Sequence, residues 1–432
     1  MHVYFSGIGG TAIGPLALIA HEAGYTVSGS DKQHSLYIDY LKKHNVTDVH
    51  IGQAYDQIAA VHQKEPIDWF VYTSALPMEQ PDAPELQFCR DNGIKATKRD
   101  EFLNYLLEEK HLKLVGIAGT HGKTTTTAMA IWLFKQLGIP ISYSVGAKMS
   151  FGDMGEYTEG SEYFVYEADE FDRNFLAFHP YISLITGIDW DHPDIYPTRE
   201  AYNQAFHEYL AQSNQAVMWH DDAQRLAFIP TENQIVIENN DPLMAHIRLP
   251  GLVNRQDALL VIQAVQKLTG KPVDELVAHM NRFPGVARRF EQILPNLYSD
   301  YAHTPPKIRG ALQLAHEVAS NNVVVVYEGL HNTRQHFIKD ELATLFDDVK
   351  ELYIVPSYLA REDQNLPYLS PEDLKQLLSG NTQARTHAAQ LDDALARAIQ
   401  RHLEHGDLVL CITAGGGNSL DEWLRRTFAR QD

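Results

Sequence analysis

One short segment has the composition of a phosphate-binding loop. It reads Gly119-Thr120-His121-Gly122-Lys123-Thr124, between a continuous apolar run and a stretch of helical character. Backbone N–H groups and the positive end of a helix can surround an anion there, Lys123 adds a point charge, and Thr124 offers a hydroxyl to Mg²⁺. The segment predicts a nucleoside triphosphate site. Because the eight-residue loop pattern has a glycine where this chain has Ile117, a turn that only begins a helix remains the alternative.

Two acidic segments follow the loop, each at the end of an apolar run. They read Glu167-Ala168-Asp169-Glu170 and Asp189-Trp190-Asp191-His192. Since the carboxyl ends of parallel strands meet at one edge of a sheet, we expect Glu167 and His192 to reach the same magnesium ion as Thr124. Histidine is an uncommon ligand for so hard a cation, so proximity of His192 to the metal is the more secure expectation. Taken singly, each segment also fits a helix cap or a solvated rim.

A second glycine-rich turn lies near the amino terminus. It reads Gly7-Ile8-Gly9-Gly10-Thr11-Ala12, and Asp31 follows at the end of the next apolar run. The arrangement resembles a dinucleotide-binding fingerprint, but Ala12 replaces the third glycine. From the residues alone, the turn fits an NAD site, a site for another pyrophosphate, or a tight turn without a ligand.

The elements that position these residues follow an alternation of strand and helix patterns. The alternation restarts near residue 112 and again after Phe283-Pro284-Gly285. We therefore predict an α/β protein of three consecutive units with parallel sheets, divided as residues 1–111, 112–286 and 287–432.

Composition and charge exclude several classes of protein. The 432 residues carry a formal charge of −20, which argues against a general nucleic-acid or anionic-membrane surface. Apolar runs fall short of the ~18 residues that a membrane helix needs, and the first residues lack a signal-peptide pattern, so we expect a cytoplasmic protein. The two cysteines, Cys89 and Cys411, are too few for a disulfide framework or a thiolate zinc site, and we expect both to be buried.

The order of these motifs resembles the Mur ligase family of peptidoglycan synthesis over nearly the whole chain. The family's ATP loop matches residues 119–124, and its two metal-side strand ends match the two acidic segments. Two further segments match its hinge and its C-terminal signature: Phe283-Pro284-Gly285-Val286-Ala287-Arg288-Arg289-Phe290-Glu291 and Asp300-Tyr301-Ala302-His303-Thr304-Pro305. Several separated motifs in one order are far more specific than a single loop.

The resemblance implies a role for each domain. A Rossmann-like N-terminal domain would bind the UDP-sugar, a P-loop ATPase-like central domain would bind ATP and Mg²⁺, and a Rossmann-like C-terminal domain would bind the incoming amino acid and complete the ATP site. The implied catalytic residues are Lys123, Glu167, His192 and Arg334, and the implied magnesium ligands are Thr124, Glu167 and His192. The implied ATP-binding residues are Gly119, Thr120, His121, Gly122, Lys123, Thr124, Thr125, Asn254, Arg289, Asp300 and His303. The implied UDP-sugar-binding residues are Gly7, Gly9, Gly10, Thr11, Asp31 and Ser74.

Within the family, most matches are to members that join L-alanine to UDP-N-acetylmuramate. Residues 328–333 instead resemble members that attach a recycled tripeptide, L-alanyl-γ-D-glutamyl-meso-diaminopimelate, to the same sugar nucleotide. The chain departs from the L-alanine pattern at Gly187, Asp257 and Leu330. L-alanine is the first expectation and the tripeptide the alternative, with ATP as co-substrate and a monomer or homodimer as the assembly. Two readings from other classes remain: a nicotinamide-dependent oxidoreductase and a nucleotide-binding regulator without catalysis.

Overall fold

The computed structural model describes residues 1–73, 76–77, 80–190, 195–359, 362–413, 415 and 418–428. Their strands form three sheets, which follow one another along the chain within residues 2–98, 113–237 and 291–412, with helices between the strands. The predicted α/β class with three consecutive units is confirmed. No helix in these ranges is both long enough and apolar enough to cross a membrane. Cys89 and Cys411 are both buried free thiols, as predicted.

The N-terminal sheet is parallel and has the strand order β3-β2-β1-β4-β5. Its strands are β1 His2–Ser6, β2 Thr26–Asp31, β3 Asp48–Ile51, β4 Trp69–Tyr72 and β5 Lys95–Lys98. Its helices are Ile13–Glu22, Leu36–Lys43, Tyr55–Lys64, Pro84–Asn92 and Arg99–Glu109. All of β1 is buried, so the turn after it leaves the sheet from the interior of the domain.

The central sheet has the strand order β12-β11-β10-β6-β9-β7-β8. Its strands are β6 Lys113–Ala118, β7 Ile141–Ser144, β8 Gly155–Glu156, β9 Tyr163–Glu167, β10 Ile182–Ile185, β11 Ala216–Trp219 and β12 Gln234–Ile237. Its helices are Lys123–Gln136, Arg199–Gln212, His220–Arg225, Leu252–Thr269 and Val273–Met280, with 3₁₀ segments Phe171–Ala177 and Pro242–His246. Strand β6 lies between β9 and β10, so the loop after β6 and the two acidic segments leave neighbouring strands.

The C-terminal sheet has the strand order β13-β14-β18-β15-β16-β17. Its strands are β13 Glu291–Leu294, β14 Leu297–Asp300, β15 Val323–Leu330, β16 Glu351–Tyr358, β17 Thr386–Ala388 and β18 Leu408–Ile412. Its helices are Pro305–Ala319, Asn332–Leu345, Pro371–Gln376, Gly380–Ala384, Asp393–Glu404 and Leu420–Phe428. The apolar strand β15 is buried along its whole length, as expected for a strand covered on both faces.

Two edge strands differ from the prediction of parallel sheets. Strand β8 pairs with β7, and β13 pairs with β14, in antiparallel orientation. The connection between β13 and β14 is only two residues long and contains Asn296 at φ 64°. So short a connection can join only antiparallel strands, because a parallel pair needs a crossover of a dozen residues or more.

The chain forms two compact units. One comprises residues 1–247 and 257–283, and the other comprises residues 248–256 and 284–432. The N-terminal and central sheets both belong to the first unit. Within it, Lys98 Nζ lies 2.8 Å from Asp172 Oδ2, and the amide of Tyr157 donates to Glu22 at 2.7 Å. The exact domain boundaries remain a prediction.

Candidate active site

The predicted phosphate loop connects strand β6 to the helix Lys123–Gln136. Gly119 and Gly122 adopt φ values of +142° and +80°, which residues other than glycine rarely adopt. A Cβ on Gly119 would also overlap the Thr186 side chain at the end of the neighbouring strand β10. The glycines therefore allow the loop to turn sharply and bring the helix N-terminus to the edge of the sheet, where backbone N–H groups can bind an anion.

The ammonium group of Lys123 is held at this edge. Its Nζ donates to the Gly119 carbonyl at 2.7 Å and to Glu170 Oε2 at 2.6 Å, and lies 3.7 Å from Asp169 Oδ1. Burial opposes the charge, but Glu170 and Asp169 outweigh burial and raise the pKa of Lys123. The lysine is therefore fully charged at neutral pH and points across its own loop.

The hydroxyl of Thr124 and the carboxylate of Glu167 lie together. Thr124 Oγ1 donates to Glu167 Oε1 at 2.8 Å, and Glu167 Oε2 accepts from the Gly146 amide at 3.1 Å. A hydroxyl and a carboxylate are hard oxygen donors of the kind that Mg²⁺ prefers, so this pair fits the predicted ion. The third predicted ligand, His192, lies outside the described residues. No cluster of three or more His, Cys, Asp or Glu side chains suited to a metal occurs within the ranges described.

The middle of the loop is tied to the second acidic segment. Thr120 Oγ1 donates to the Asp189 carbonyl at 2.6 Å, and His121 Nε2 lies 3.3 Å from Asp189 Oδ2. The hydrogen bond from His121 lowers the pKa of Asp189. A Cβ on Gly187, at φ +142°, would lie 2.5 Å from the His121 ring. The departure at Gly187 is thus explained locally, because glycine leaves room for His121.

A buried carboxyl lies beneath the other side of the loop. Asp257 Oδ2 lies 2.8 Å from the position that a Cβ on Gly122 would occupy. Burial raises the pKa of Asp257 to about 8, and the Thr126 hydroxyl lowers it. The family resemblance predicts an Asn-x-x-Asn adenine motif here, in which Asn254 is the first asparagine and Asp257 replaces the second. The Asn254 amide donates to the Pro250 carbonyl at 2.9 Å.

The N-terminal glycine turn has a different construction. The amides of Gly7 and Ile8 both donate to the Ser30 carbonyl, and Gly7 adopts φ +81°. Asp31 Oδ2 accepts from the Gly9 amide at 2.8 Å. The predicted residue Gly10 donates to the Gly7 carbonyl, Thr11 is exposed, and Ser74 lies outside the described residues.

A small cleft opens beside this turn, and one of its lining residues, Ser6, belongs to a buried hydrogen-bond network. The cleft is lined by Ser6, Gly7, Asp31, Lys32, Gln53, Thr73 and Leu76. The buried Glu85 accepts from Tyr4 at 2.8 Å, from Ser6 at 2.7 Å and from Ser30 at 2.5 Å. Burial raises the pKa of Glu85, and the three hydroxyls lower it. A wide cleft elsewhere, between the helix Arg199–Gln212 and residues 228–234, is lined by none of the predicted residues.

In the C-terminal unit, the predicted residues gather around His303. Its Nε2 lies 3.4 Å from Lys307 Nζ, and burial followed by the charges of Lys307, Arg334 and Arg289 lowers its pKa well below the usual value. Asp300 Oδ2 accepts from the Phe290 amide at 2.7 Å. Burial raises the pKa of Asp300 to about 6, although Arg289 lowers it. The result is a cationic cluster around a neutral imidazole, suited to an anionic ligand.

Sequence reasoning did not assign three residues that shape the loop. Glu170 binds Lys123, Asp189 binds the loop through Thr120 and His121, and Thr186 donates to the carbonyl of His121. Glu170 and Asp189 stand inside the acidic segments, but no sequence signal distinguishes them from their neighbours. Thr186 carries a weaker signal, as the residue before the unusual Gly187.

Comparisons with known proteins agree with this organisation. The "Mur ligase family, catalytic domain" model matches residues 2–111, the "Mur ligase middle domain" model matches residues 117–241, and the "Mur ligase, glutamate ligase domain" model matches residues 288–415. A UDP-N-acetylmuramate–L-alanine ligase from Clostridium acetobutylicum is 30% identical over 96% of this chain and 95% of its own length. A ligase of the same name from Gloeobacter violaceus is 28% identical over 98% of this chain and 95% of its own length.

Solved structures share the fold. A UDP-N-acetylmuramate–alanine ligase from Thermotoga maritima aligns over 99% of this chain and 98% of its own, with a TM-score of 0.73 and 23% identity. A murein peptide ligase from Psychrobacter arcticus aligns over the same shares, with a TM-score of 0.62 and 22% identity. At these identities the likeness establishes the three-domain fold and nothing finer.

Proposed function

From the premise that this chain belongs to the Mur ligase family, we propose that it joins L-alanine to the lactyl carboxylate of UDP-N-acetylmuramate, with hydrolysis of ATP to ADP and phosphate. The reaction is an amide ligation of peptidoglycan biosynthesis, and we assign it to the cytoplasm. Its partners are the three small molecules, without nucleic acid or membrane, and the assembly is a monomer or homodimer.

The chemistry follows from the inertness of a carboxylate. An amine does not displace oxide from a carboxylate, so a carboxylate oxygen first attacks the γ-phosphorus of ATP, and ADP leaves. The resulting acyl phosphate has a good leaving group. The alanine amine then attacks its carbonyl carbon, and the tetrahedral intermediate expels inorganic phosphate and loses a proton to give the amide.

Lys123 and the pair Thr124 and Glu167 act in the first step. The charged Lys123 neutralises charge on the phosphoryl oxygens, which is positioning and electrostatic stabilisation rather than covalent catalysis. Glu170 orients Lys123 from behind, because it binds the ammonium at 2.6 Å. Thr124 and Glu167 would hold Mg²⁺ with His192, and the ion supplies further neutralisation of phosphate charge. The remaining loop residues, Gly119, Thr120, His121, Gly122 and Thr125, surround the phosphates.

We assign the remaining substrates to the other two sites. The glycine turn at Gly7, Gly9, Gly10 and Thr11, with Asp31 and Ser74, would bind the UDP pyrophosphate. In the C-terminal unit, Arg334 would bind the carboxylate of the incoming amino acid. Asn254, Arg289, Asp300 and His303 would complete the ATP site.

The juxtaposition of Lys123 with Glu170, and of Thr124 with Glu167, at one edge of the central sheet carries this proposal. It is tested by ADP release from ATP, Mg²⁺ and UDP-N-acetylmuramate with one amine at a time: L-alanine, glycine, L-serine and the tripeptide. We expect turnover with L-alanine that requires both the sugar nucleotide and the amine. ADP release independent of UDP-N-acetylmuramate, or nicotinamide reduction in place of ADP release, would contradict the proposal.

A second candidate is ligation of the recycled tripeptide. It is favoured by the segment 328–333, which resembles the tripeptide-adding members, and by Leu330, where the alanine-adding members usually carry histidine. Thr333 and Arg334 still match the alanine-adding members. Leu330 ends strand β15 and is 9% exposed. Turnover with the tripeptide alone would replace L-alanine as the substrate and leave the ATP chemistry unchanged.

A further inference from the structure

The phosphate loop rests on a carboxyl group that none of the steps above uses. Asp257 lies on the helix Leu252–Thr269 and is 2% exposed. Its Oδ2 is 2.8 Å, and its Oδ1 3.0 Å, from the position of a Cβ on Gly122. Only a glycine at 122 allows this approach, so the carboxyl packs directly against the backbone of the loop.

The surroundings of Asp257 do not stabilise a negative charge. Among the described residues, Oδ2 has no hydrogen-bond partner. The titratable and charged side chains of the loop are engaged elsewhere: His121 lies 3.3 Å from Asp189, and Lys123 binds Glu170. Burial therefore raises the pKa of Asp257 to about 8, opposed only by the Thr126 hydroxyl. The carboxyl is mostly neutral at pH 7.

We propose that ATP binds to the loop when Asp257 is protonated, and that loss of this proton weakens nucleotide binding. An anion on the far side of Gly122 would oppose the helix N-terminus and Lys123, both of which attract the phosphates. In a buried site that repulsion is poorly screened. The resembling family motif has an asparagine at this position, which is neutral at every pH. The inference rests on the ATP site of the proposed function, but not on the identity of the amine.

The test is ATP affinity as a function of pH, with Mg²⁺ and without the other substrates, for the wild-type protein, Asp257→Asn and Asp100→Asn. Linkage with a pKa of about 8 predicts that the wild-type Kd rises about tenfold between pH 7 and pH 9, relative to Asp257→Asn. Asp100→Asn is the matched control, since it removes another buried carboxyl of raised pKa, on the helix Arg99–Glu109 of the N-terminal domain. It should keep the wild-type pH dependence. Parallel profiles for the wild-type protein and Asp257→Asn would overturn the proposal.

A second measurement needs no variant. Calorimetry of ATP binding at pH 8, in two buffers of different ionisation enthalpy, counts the protons that the protein takes up. About half a proton is expected beyond the uptake of ATP itself, because half of the free carboxyl is ionised at that pH. Binding without this uptake would overturn the inference but leave the ligase proposal standing. No ATP binding at any pH would overturn both.

Discussion

The two glycine turns of this chain, after β1 and after β6, share a local design but differ in charge. Each follows a buried parallel strand and leads into a helix. Each also has a buried carboxyl group close by: Asp257 lies against Gly122, and Glu85 is bonded to Ser6, the residue before the first turn. After β6, Lys123 and the pair of Thr124 with Glu167 lie at the turn, and one oxygen of Asp257 has no hydrogen-bond partner in the part of the chain that the structure describes. After β1, the cleft is lined by one acidic and one basic residue, Asp31 and Lys32, and Glu85 accepts hydrogen bonds from three hydroxyls, among them that of Ser6 in the cleft lining.

The difference in charge distinguishes a site that only binds a phosphate from a site that catalyses phosphoryl transfer. Backbone amides alone suffice to hold a pyrophosphate, which is the role we propose for the first turn. Phosphoryl transfer also needs fixed positive charge beside the leaving and attacking oxygens. The second turn has that charge. Substitutions at the second turn should therefore lower kcat, whereas substitutions at the first turn should raise KM for the sugar nucleotide.

The largest expected effect is that of Lys123→Ala. Loss of the ammonium should lower kcat at least a hundredfold, because one preorganised charge is removed from the phosphoryl group in transfer. Binding of UDP-N-acetylmuramate should remain. Lys135→Ala is the matched control, since Lys135 lies on the same helix and pairs with Glu156 away from the loop. Equal rates for Lys123→Ala and the control would contradict the proposed site.

Glu167→Gln should have the next largest effect. The amide is a poorer ligand for Mg²⁺, so the rate should fall roughly tenfold to a hundredfold and saturate at a higher Mg²⁺ concentration. Initial rates measured against Mg²⁺ at fixed ATP test this. Glu162→Gln serves as control, because Glu162 precedes the same strand at its opposite end and pairs with Lys113. An unchanged Mg²⁺ dependence in Glu167→Gln would remove this residue from the metal site.

At the first turn, Asp31→Ala should act on binding. The Gly9 amide loses its acceptor, which costs about 1–3 kcal/mol, so KM for UDP-N-acetylmuramate should rise roughly tenfold while kcat changes little. Steady-state kinetics with saturating ATP separate the two constants. A fall in kcat with unchanged KM would abolish the distinction between the turns.

The smallest effect concerns stability and pH. The pKa of Asp257 is about 8 in the folded chain and near 4 when unfolded. The folded state therefore holds the extra proton, and this contribution to stability is lost as pH rises toward 8. Relative to the wild-type protein, the free energy of unfolding of Asp257→Asn should rise by roughly 2 kcal/mol from pH 5.5 to pH 7.5, or about 3 °C in Tm. Thermal unfolding at the two pH values measures it, and an unchanged difference would be inconsistent with a buried neutral carboxyl.

Much of the architecture could be predicted from the sequence because it depends on local patterns. Apolar runs followed by glycines predicted β1 and β6. Because the carboxyl ends of parallel strands meet at one edge of a sheet, the sequence also predicted that Glu167 lies near Thr124. The hairpin of β13 and β14 was missed because short strands beside a two-residue turn resemble a loop. Pairings such as Lys123 with Glu170 depend on which carboxyl is buried, and burial is set by tertiary packing. For the same reason, the departure at Gly187 could be noted but not explained until His121 was seen beside it.

The central claim is that ATP converts the lactyl carboxylate into an acyl phosphate. The most direct test uses UDP-N-acetylmuramate labelled with ¹⁸O in both carboxylate oxygens, together with ATP and L-alanine, and mass analysis of the phosphate released. The account predicts one ¹⁸O atom in each phosphate, because the carboxylate oxygen that attacks phosphorus leaves with it. Unlabelled phosphate formed together with the amide product would contradict it.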